Sequence, residues 1–239
     1  MGLIEETYGL FLHVLFNITN PIKKKIVKTE CEVHKFLNSS ALQILKKDGY
    51  MDEYSLFSCY LPEINKGTVW ADQDYKSSNH FYSPEKDKPD GLYGRRSAME
   101  LGIEYYLKAR KSWKTGKNKK SLFYLGAAIH IIQDMTVPQH ANIRLLDNHR
   151  QYETFVKRAY LYMNRSDRLP KAYRLNSIED YIKYNSRMAI KIHKKYDSVS
   201  KDELRYFLVT SHILPLAKKT TAGAMIMFYD DIFKNNKTN

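Results

Sequence analysis

Residues Leu122 to Glu153 read LFYLGAAIHIIQDMTVPQHANIRLLDNHRQYE. The first half of this stretch is apolar almost all round a helix, and its polar exceptions include His130 and Asp134, one helical turn apart. This pattern predicts a buried central helix with one polar seam. Because a buried carboxylate needs a partner, the seam is a candidate functional site.

The same spacing recurs further along the stretch. His149 and Glu153 lie one turn apart on what is predicted as the next helix, and His140 follows Pro138, where the first helix must stop or bend. A single His/Asp pair is more often part of a satisfied core than a metal site. Two pairs with a linking histidine favour a divalent metal, and imidazole plus carboxylate suits zinc in an open hydrolytic site.

These residues resemble the zinc-dependent phospholipase C family of bacteria, whose fold is shared with fungal single-strand-specific zinc nucleases. In that family a buried helix of the type YLGxxxHxxxDxxxPxH is followed by HxxxE. The matching positions here are Tyr124, Leu125, Gly126, His130, Asp134, Pro138, His140, His149 and Glu153.

The resemblance extends in both directions. Upstream, GTVWADQDYKSSNHFYSP resembles the family segment that supplies an Asp and a His, with Asp72 and His80 at those positions and Asp74 as the alternative to Asp72. The stretch CEVHKFLNSSALQIL is similar to the family's first ligand helix and places His34 at its metal position. Downstream, LAKKTTAGAMIMFYDD is similar to the closing helix, so the resemblance covers residues 30–231.

The resemblance implies up to three zinc ions and assigns their ligands in three sets. The sets are Asp72, His80, His130 and Asp134; His34 with a bridging Asp134; and His140, His149 and Glu153. Clustered zinc lowers the pKa of a bound water, which then attacks phosphorus without a nucleophilic side chain. Asp72 has a second expected role as general base toward that water.

One feature departs from the family. Its secreted members use a processed N-terminal Trp at the zinc that His34 shares, whereas Trp70 and Trp113 are the only tryptophans here and neither precedes His34. The expectation is that Glu30 or water takes this place, or that the site is empty.

Length and composition are consistent with one large domain. The 239 residues contain no Gly/Ser/Pro-rich linker, and only Cys31 and Cys59 are available, so no disulfide framework is expected. The formal charge of +13 favours anionic partners: a phospholipid substrate or anionic membrane surface first, nucleic acid second. A monomer is expected.

The N-terminal segment, residues 1–28, is predicted as an amphipathic helix and basic linker ahead of the phospholipase-like domain at residues 29–239. Its apolar run Leu10 to Phe16 is too short to span a bilayer, and Glu5 and Glu6 replace the basic residues of a signal peptide. A cytoplasmic or peripheral membrane location is favoured, with secretion as the alternative.

Helical periodicity recurs along the chain and strand signals are almost absent, so the fold is predicted as an all-α, single-domain multi-helix bundle. One helix is predicted at residues 30–47 and a second at 52–64, before a long loop at 65–93 that carries Asp72 and His80. Residues 201–234 are predicted as two helices with a bend near Pro215.

The predicted function is zinc-dependent hydrolysis of a phosphodiester, as a phospholipase C that releases diacylglycerol and a phosphorylated head group. Two alternatives stay open: a single-strand-specific zinc nuclease on the same fold, and a non-catalytic protein that zinc stabilises. Ser77 stands where choline-preferring relatives have Phe, so the head group is open too.

Overall fold

The computed structural model describes residues 31–73, 80–84, 96–142, 149–163 and 169–234. Throughout those ranges the regular elements are all helices, which confirms the predicted all-α class. In chain order they are α1 Glu32–Lys47, α2 Met51–Cys59, α3 Leu61–Ala71, α4 Ala98–Lys114, α5 Asn118–Asp134, α6 Pro138–Asn142, α7 His149–Met163, α8 Ile178–Tyr196 and α9 Asp202–Phe233. The predicted N-terminal helix lies outside the described residues.

Helix α5 is the central element, as its all-round apolar sequence predicts. Every residue from Leu125 to Asp134 is buried. Helices α3 and α4 pack along it, and α8 and α9 contact it as well. Because the neighbours cover the polar residues of this stretch together with its apolar ones, each polar side chain between Leu125 and Asp134 must find its partner inside the protein.

Helices α3 and α5 approach each other as closely as backbones allow. A Cβ built on Gly126 would lie 2.0 Å from the carbonyl oxygen of Ile64, and one on Gly67 would lie 1.8 Å from that of Phe123. Within this contact the hydroxyl group of Thr68 donates to the carbonyl oxygens of Ile64 and Gly126. Small residues therefore set the distance between the helix that ends at Asp72 and the helix that carries His130.

The prediction of one helix at 52–64 followed by a loop from residue 65 is wrong. The chain breaks at Tyr60 and starts again as α3, with Pro62 in the first turn, where a proline is tolerated. Helix α3 continues to Ala71 because Gly67 and Thr68 fit closely against α5.

The predicted pair of helices at 201–234 is one helix, α9, with Pro215 inside it. Proline removes one backbone N–H donor from a helix. The residues on both sides of Pro215, namely Ile213, Leu214, Leu216 and Ala217, are buried, and this packing holds the helical path across the missing hydrogen bond. In the part of the chain that the structure describes, no helix is long and apolar enough to cross a bilayer.

Candidate metal centre

The polar seam of α5 is at the centre of a cluster of imidazole and carboxylate groups. His130 and Asp134 lie one turn apart, and Nε2 of His130 is 3.1 Å from Oδ2 of Asp134. Both side chains are almost wholly buried. The structure thus places both side chains on one buried face of α5, one turn apart.

His80 reaches the same carboxylate from the segment at 80–84. Its Nδ1 is 2.8 Å from Oδ2 of Asp134 and 3.3 Å from Nε2 of His130. Backbone hydrogen bonds hold this segment on both sides, because the Ala98 N–H donates to the Phe81 carbonyl and the Tyr82 N–H donates to the His140 carbonyl. His80 is thereby fixed although it lies outside a helix.

Asp72 joins the group from the C-terminal cap of α3. One carboxylate oxygen of Asp72 and one ring nitrogen each of His80 and His130 all lie within 4.8 Å of one another. The alternative residue, Asp74, lies outside the described residues, as does Glu30.

His34 enters from α1, and a buried glutamine fixes its orientation. Gln133 donates through Nε2 to Oδ1 of Asn38 at 3.0 Å and to Oγ1 of Thr221 at 3.1 Å, so its Oε1 is the acceptor that faces Nδ1 of His34 at 2.8 Å. His34 must therefore carry its proton on Nδ1. Its other nitrogen, Nε2, then presents a lone pair 3.5 Å from Oδ1 of Asp134.

The electrostatics of the cluster keep the ligand groups in the forms that bind a cation. Burial and the nearby His130 lower the pKa of His34, which favours the neutral imidazole. Burial alone would raise the pKa of Asp134, but the electrostatic interactions with His130 and His140 and the hydrogen bonds from His130 and His80 outweigh it and hold that pKa well below its usual range. Asp134 is therefore a carboxylate at neutral pH.

The third predicted ligand set is only partly described. Nδ1 of His140 lies 2.9 Å from the His80 carbonyl oxygen, so it must be the protonated nitrogen, and the ring stacks on Phe81. This leaves Nε2 as the nitrogen with the lone pair, the arrangement common among metal-binding histidines. His149 begins α7 and Glu153 lies one turn later, but the His149 side chain lies outside the described residues.

The residues present fit a divalent metal. The facing atoms of His80, His130 and Asp134 form a triangle with sides of 2.8, 3.1 and 3.3 Å. Ligands of a tetrahedral zinc with bonds of about 2.0–2.2 Å are separated by roughly 3.3–3.6 Å, close to the longer sides. The lone pair of His34 Nε2 lies 3.5 Å from Oδ1 of Asp134, which is repulsive unless a cation lies nearby.

Sequence reasoning missed two residues at this site. Gln133 directly precedes Asp134 on an otherwise apolar helix, and that polar exception was a signal. The other is Cys31: the sequence bears on it only through the absence of a disulfide framework, yet its Sγ donates a hydrogen bond to Oδ2 of Asp72 at 3.1 Å. Burial, then the charge of Asp72, raise the pKa of the Cys31 thiol.

His193, which the sequence excluded from the site, is half-buried on α8, with Nε2 3.9 Å from Oδ1 of Asp197. Among the described residues, it is in neither the group of His34, His130 and Asp134 nor the group of Asp72, His80 and His130.

Comparison with known proteins points to one family. The sequence model of a family described as zinc dependent phospholipase C matches residues 33–219. A phospholipase C of Bacillus cereus is 30% identical over 137 residues, which cover 52% of this chain and 48% of that protein. A phospholipase C of Clostridium perfringens strain 13 is 27% identical over 228 residues, covering 82% of this chain and 53% of that protein.

A solved structure agrees at the level of the fold. The alpha toxin of Clostridium absonum superposes with a TM-score of 0.73 at 19% sequence identity, covering 87% of this chain and 65% of that one. The chain thus spans about half the length of these two curated relatives and about two thirds of this structural neighbour.

Proposed function

The chain belongs to the zinc-dependent phospholipase C family, and we propose that it hydrolyses the phosphodiester of a phospholipid on the diacylglycerol side of the phosphate. The observation that carries this proposal is the convergence of His34, Asp72, His80 and His130 around the buried carboxylate of Asp134. Four separate parts of the chain supply these residues.

In this proposal up to three zinc ions bind, with the ligand sets that the sequence predicts. Asp72, His80, His130 and Asp134 hold one ion, and Asp134 is shared with a second ion at His34. The opposite directions of its two oxygens support this sharing, because Oδ2 faces His80 and His130 whereas Oδ1 faces His34. His140, His149 and Glu153 hold the third.

When bound, the zinc supplies an acidified water and neutralises phosphate oxygens. The chain's own groups hold and orient these components. Gln133 keeps the His34 ring in the tautomer with Nε2 as the metal-binding nitrogen. Asp72 is half-buried and therefore open to solvent, and it is the group that accepts a proton from the attacking water.

The substrate class follows from charge and family together. A formal charge of +13 attracts the chain to anionic lipid surfaces, where a peripheral enzyme meets its substrate. A nuclease would share the attraction to phosphate, but the family match is to phospholipases and does not favour it.

The test compares His130→Ala with His193→Ala. Zinc content and hydrolysis of phosphatidylcholine and phosphatidylethanolamine are measured beside cleavage of single-stranded DNA. We expect lipid turnover in the wild type, retention of metal and turnover in His193→Ala, and loss of both in His130→Ala. A zinc-loaded wild type that cleaves only DNA, or neither substrate, would refute the proposal.

A further inference from the structure

Helix α7 has an inner side that packs on the protein and an outer side that faces solvent. On the inner side the Tyr152 ring lies 5.6 Å from that of Tyr206 on α9, and the Tyr160 ring lies 5.0 Å from that of Phe36 on α1. The outer side consists of the exposed residues Arg150, Gln151, Thr154, Lys157, Arg158, Leu161 and Tyr162. The helix is therefore held in place from within, and its outer side is available to a partner.

Two large hydrophobic residues lie next to each other at the end of this outer side. Leu161 is 58% exposed and Tyr162 is 68% exposed, more than any other large hydrophobic residue in the described part of the chain. Single exposed apolar residues are normal on a protein surface, and Leu107 on α4, 54% exposed, is an example. Its own turn includes Glu104, which forms an ion pair with Lys108, so its surroundings are of mixed charge.

The apolar pair Leu161 and Tyr162 has positive charges beside it. Lys157 precedes Leu161 by four positions and Arg158 precedes Tyr162 by four, so each cation lies one helical turn from an apolar side chain. The only acidic residue in the α7 sequence, Glu153, is half-buried. The outer side of α7 is thus basic along its length and apolar at its C-terminal end.

This combination fits the surface of an anionic phospholipid layer. Lysine and arginine reach lipid phosphates through their long side chains, while leucine and tyrosine enter the boundary between head groups and acyl chains. The formal charge of +13 draws the chain toward such a surface. A nucleic acid would also attract the cations, but it offers no acyl region for Leu161.

We propose that the outer side of α7 docks on an anionic phospholipid surface, with Leu161 and Tyr162 inserted between the head groups. The cations one turn earlier then lie at the lipid phosphates. A helix that lies along a surface keeps all of its turns within about 10 Å of it, the diameter of a helix with its side chains. Since the predicted zinc ligand His149 begins α7, docking holds that end of the helix close to lipid. The choice of lipid as the partner rests on the proposed function, but docking does not require turnover.

The test measures binding of the zinc-loaded full chain to vesicles by co-sedimentation. The vesicles contain equal parts of phosphatidylglycerol and phosphatidylcholine, or phosphatidylcholine alone. The apolar pair is removed by combining Leu161→Ser with Tyr162→Ser, and Leu107→Ser is the matched control. We expect the control to bind the mixed vesicles like the wild type. The double variant should bind them at least ~10-fold more weakly, because the affinity of an interfacial helix scales with the apolar area that it buries.

A second variant, Lys157→Gln with Arg158→Gln, tests the electrostatic part of the docking. Each basic residue near an anionic surface contributes about fivefold in affinity, so this variant should lose roughly 25-fold on the mixed vesicles and little on phosphatidylcholine alone. The difference from the wild type should shrink at high salt, which screens exposed charges. All of these positions are exposed, so the melting temperature in circular dichroism should stay close to that of the wild type.

A wild type that does not bind the mixed vesicles would overturn the proposal, and so would a double apolar variant that binds them within about twofold of the wild type. A wild-type dimer that dissociates in the double variant would identify a second copy as the partner. Binding of single-stranded DNA that is lost in the charge variant, with vesicle binding intact, would identify a nucleic acid.

Hydrolysis of dissolved short-chain phosphatidylcholine separates this proposal from the proposed function. The rate should be the same in the wild type and in the double apolar variant, because a dissolved substrate needs no docking. Vesicle binding through α7 without hydrolysis of any lipid would refute the proposed function alone. Hydrolysis with vesicle binding that ignores both variants would refute the docking alone.

Discussion

Replacing Gln133 with Met tests whether a single amide organises the His34 side of the centre. Met keeps the length and approximate volume of the side chain, so the change removes polar atoms without opening a cavity. It deletes three hydrogen bonds, a partly buried one to His34 at 2.8 Å and buried ones to Asn38 at 3.0 Å and Thr221 at 3.1 Å. At about 1 kcal/mol net for each bond, the metal-free protein should lose ~3 kcal/mol of stability.

The same substitution should also weaken the binding of zinc at His34. Without Gln133 the His34 ring is free to rotate or to carry its proton on Nε2, and loss of such an outer-shell partner costs about 10- to 100-fold in metal affinity. Urea unfolding of the chelated protein measures the first effect, and competition with a chromophoric chelator measures the second. Gln43→Met, at an exposed position on α1, is the matched control. Zinc affinity within about twofold of the wild type in Gln133→Met would refute the reasoning.

Two further predictions concern the close helix contact and the protonation of the ligands. Gly126→Ala should lower the melting temperature in circular dichroism and reduce zinc affinity, because its Cβ would lie 2.0 Å from the Ile64 carbonyl and force α3 and α5 apart, at a cost of ~1–3 kcal/mol; an unchanged melting temperature would contradict the geometry. Lowering the pH from about 7.5 to about 5 should release zinc, since imidazole must be neutral to bind and protons compete for it below its ordinary pKa of about 6.5. Zinc retained after dialysis is the measurement, and full retention at the lower pH would argue against histidine ligands.

The central helix and the two candidate ligands on it could be predicted because their signals are local. His130 and Asp134 are one turn apart on a segment that is otherwise apolar, and this pattern survives in the fold without reference to any other part of the chain. The family pattern then supplied His34, Asp72 and His80; the structure brings His34 and His80 to the Asp134 carboxylate and Asp72 to His80 and His130.

The errors arose where tertiary packing overrode local composition. Residues 65–71 contain Asn, Lys, Gly and Thr and were predicted as loop, yet they form part of α3 because Gly67 and Thr68 fit against α5. Pro215 suggested a bend between two helices, whereas buried neighbours on both sides keep α9 continuous. Neither packing partner is visible within a local sequence window.

The contacts of Gln133 and Cys31 likewise depend on tertiary packing and could not be predicted from local sequence. Gln133 reaches His34 across 99 positions of sequence, and Cys31 reaches Asp72 across 41. A hydrogen bond of that separation depends on the relative placement of α1, α3 and α5, which no periodicity encodes. What the sequence does show is that a polar residue on an apolar helix must have a partner somewhere.

The polar cluster couples metal binding to folding. Among the described residues, Nε2 of His80 and Nδ1 of His130 are buried with no hydrogen-bond partner, and the lone pair of His34 faces the Asp134 carboxylate. Each buried unsatisfied group costs about 1–3 kcal/mol, so a core built in this way gives up several kcal/mol of the stability that a small domain has. An ion that binds only the folded state, at the opposite nitrogens of these rings and at Asp134, adds stability in proportion to the logarithm of its concentration over its dissociation constant and so offsets that loss. The stability of helix α5 and its neighbours should therefore depend on the same metal that the proposed chemistry requires.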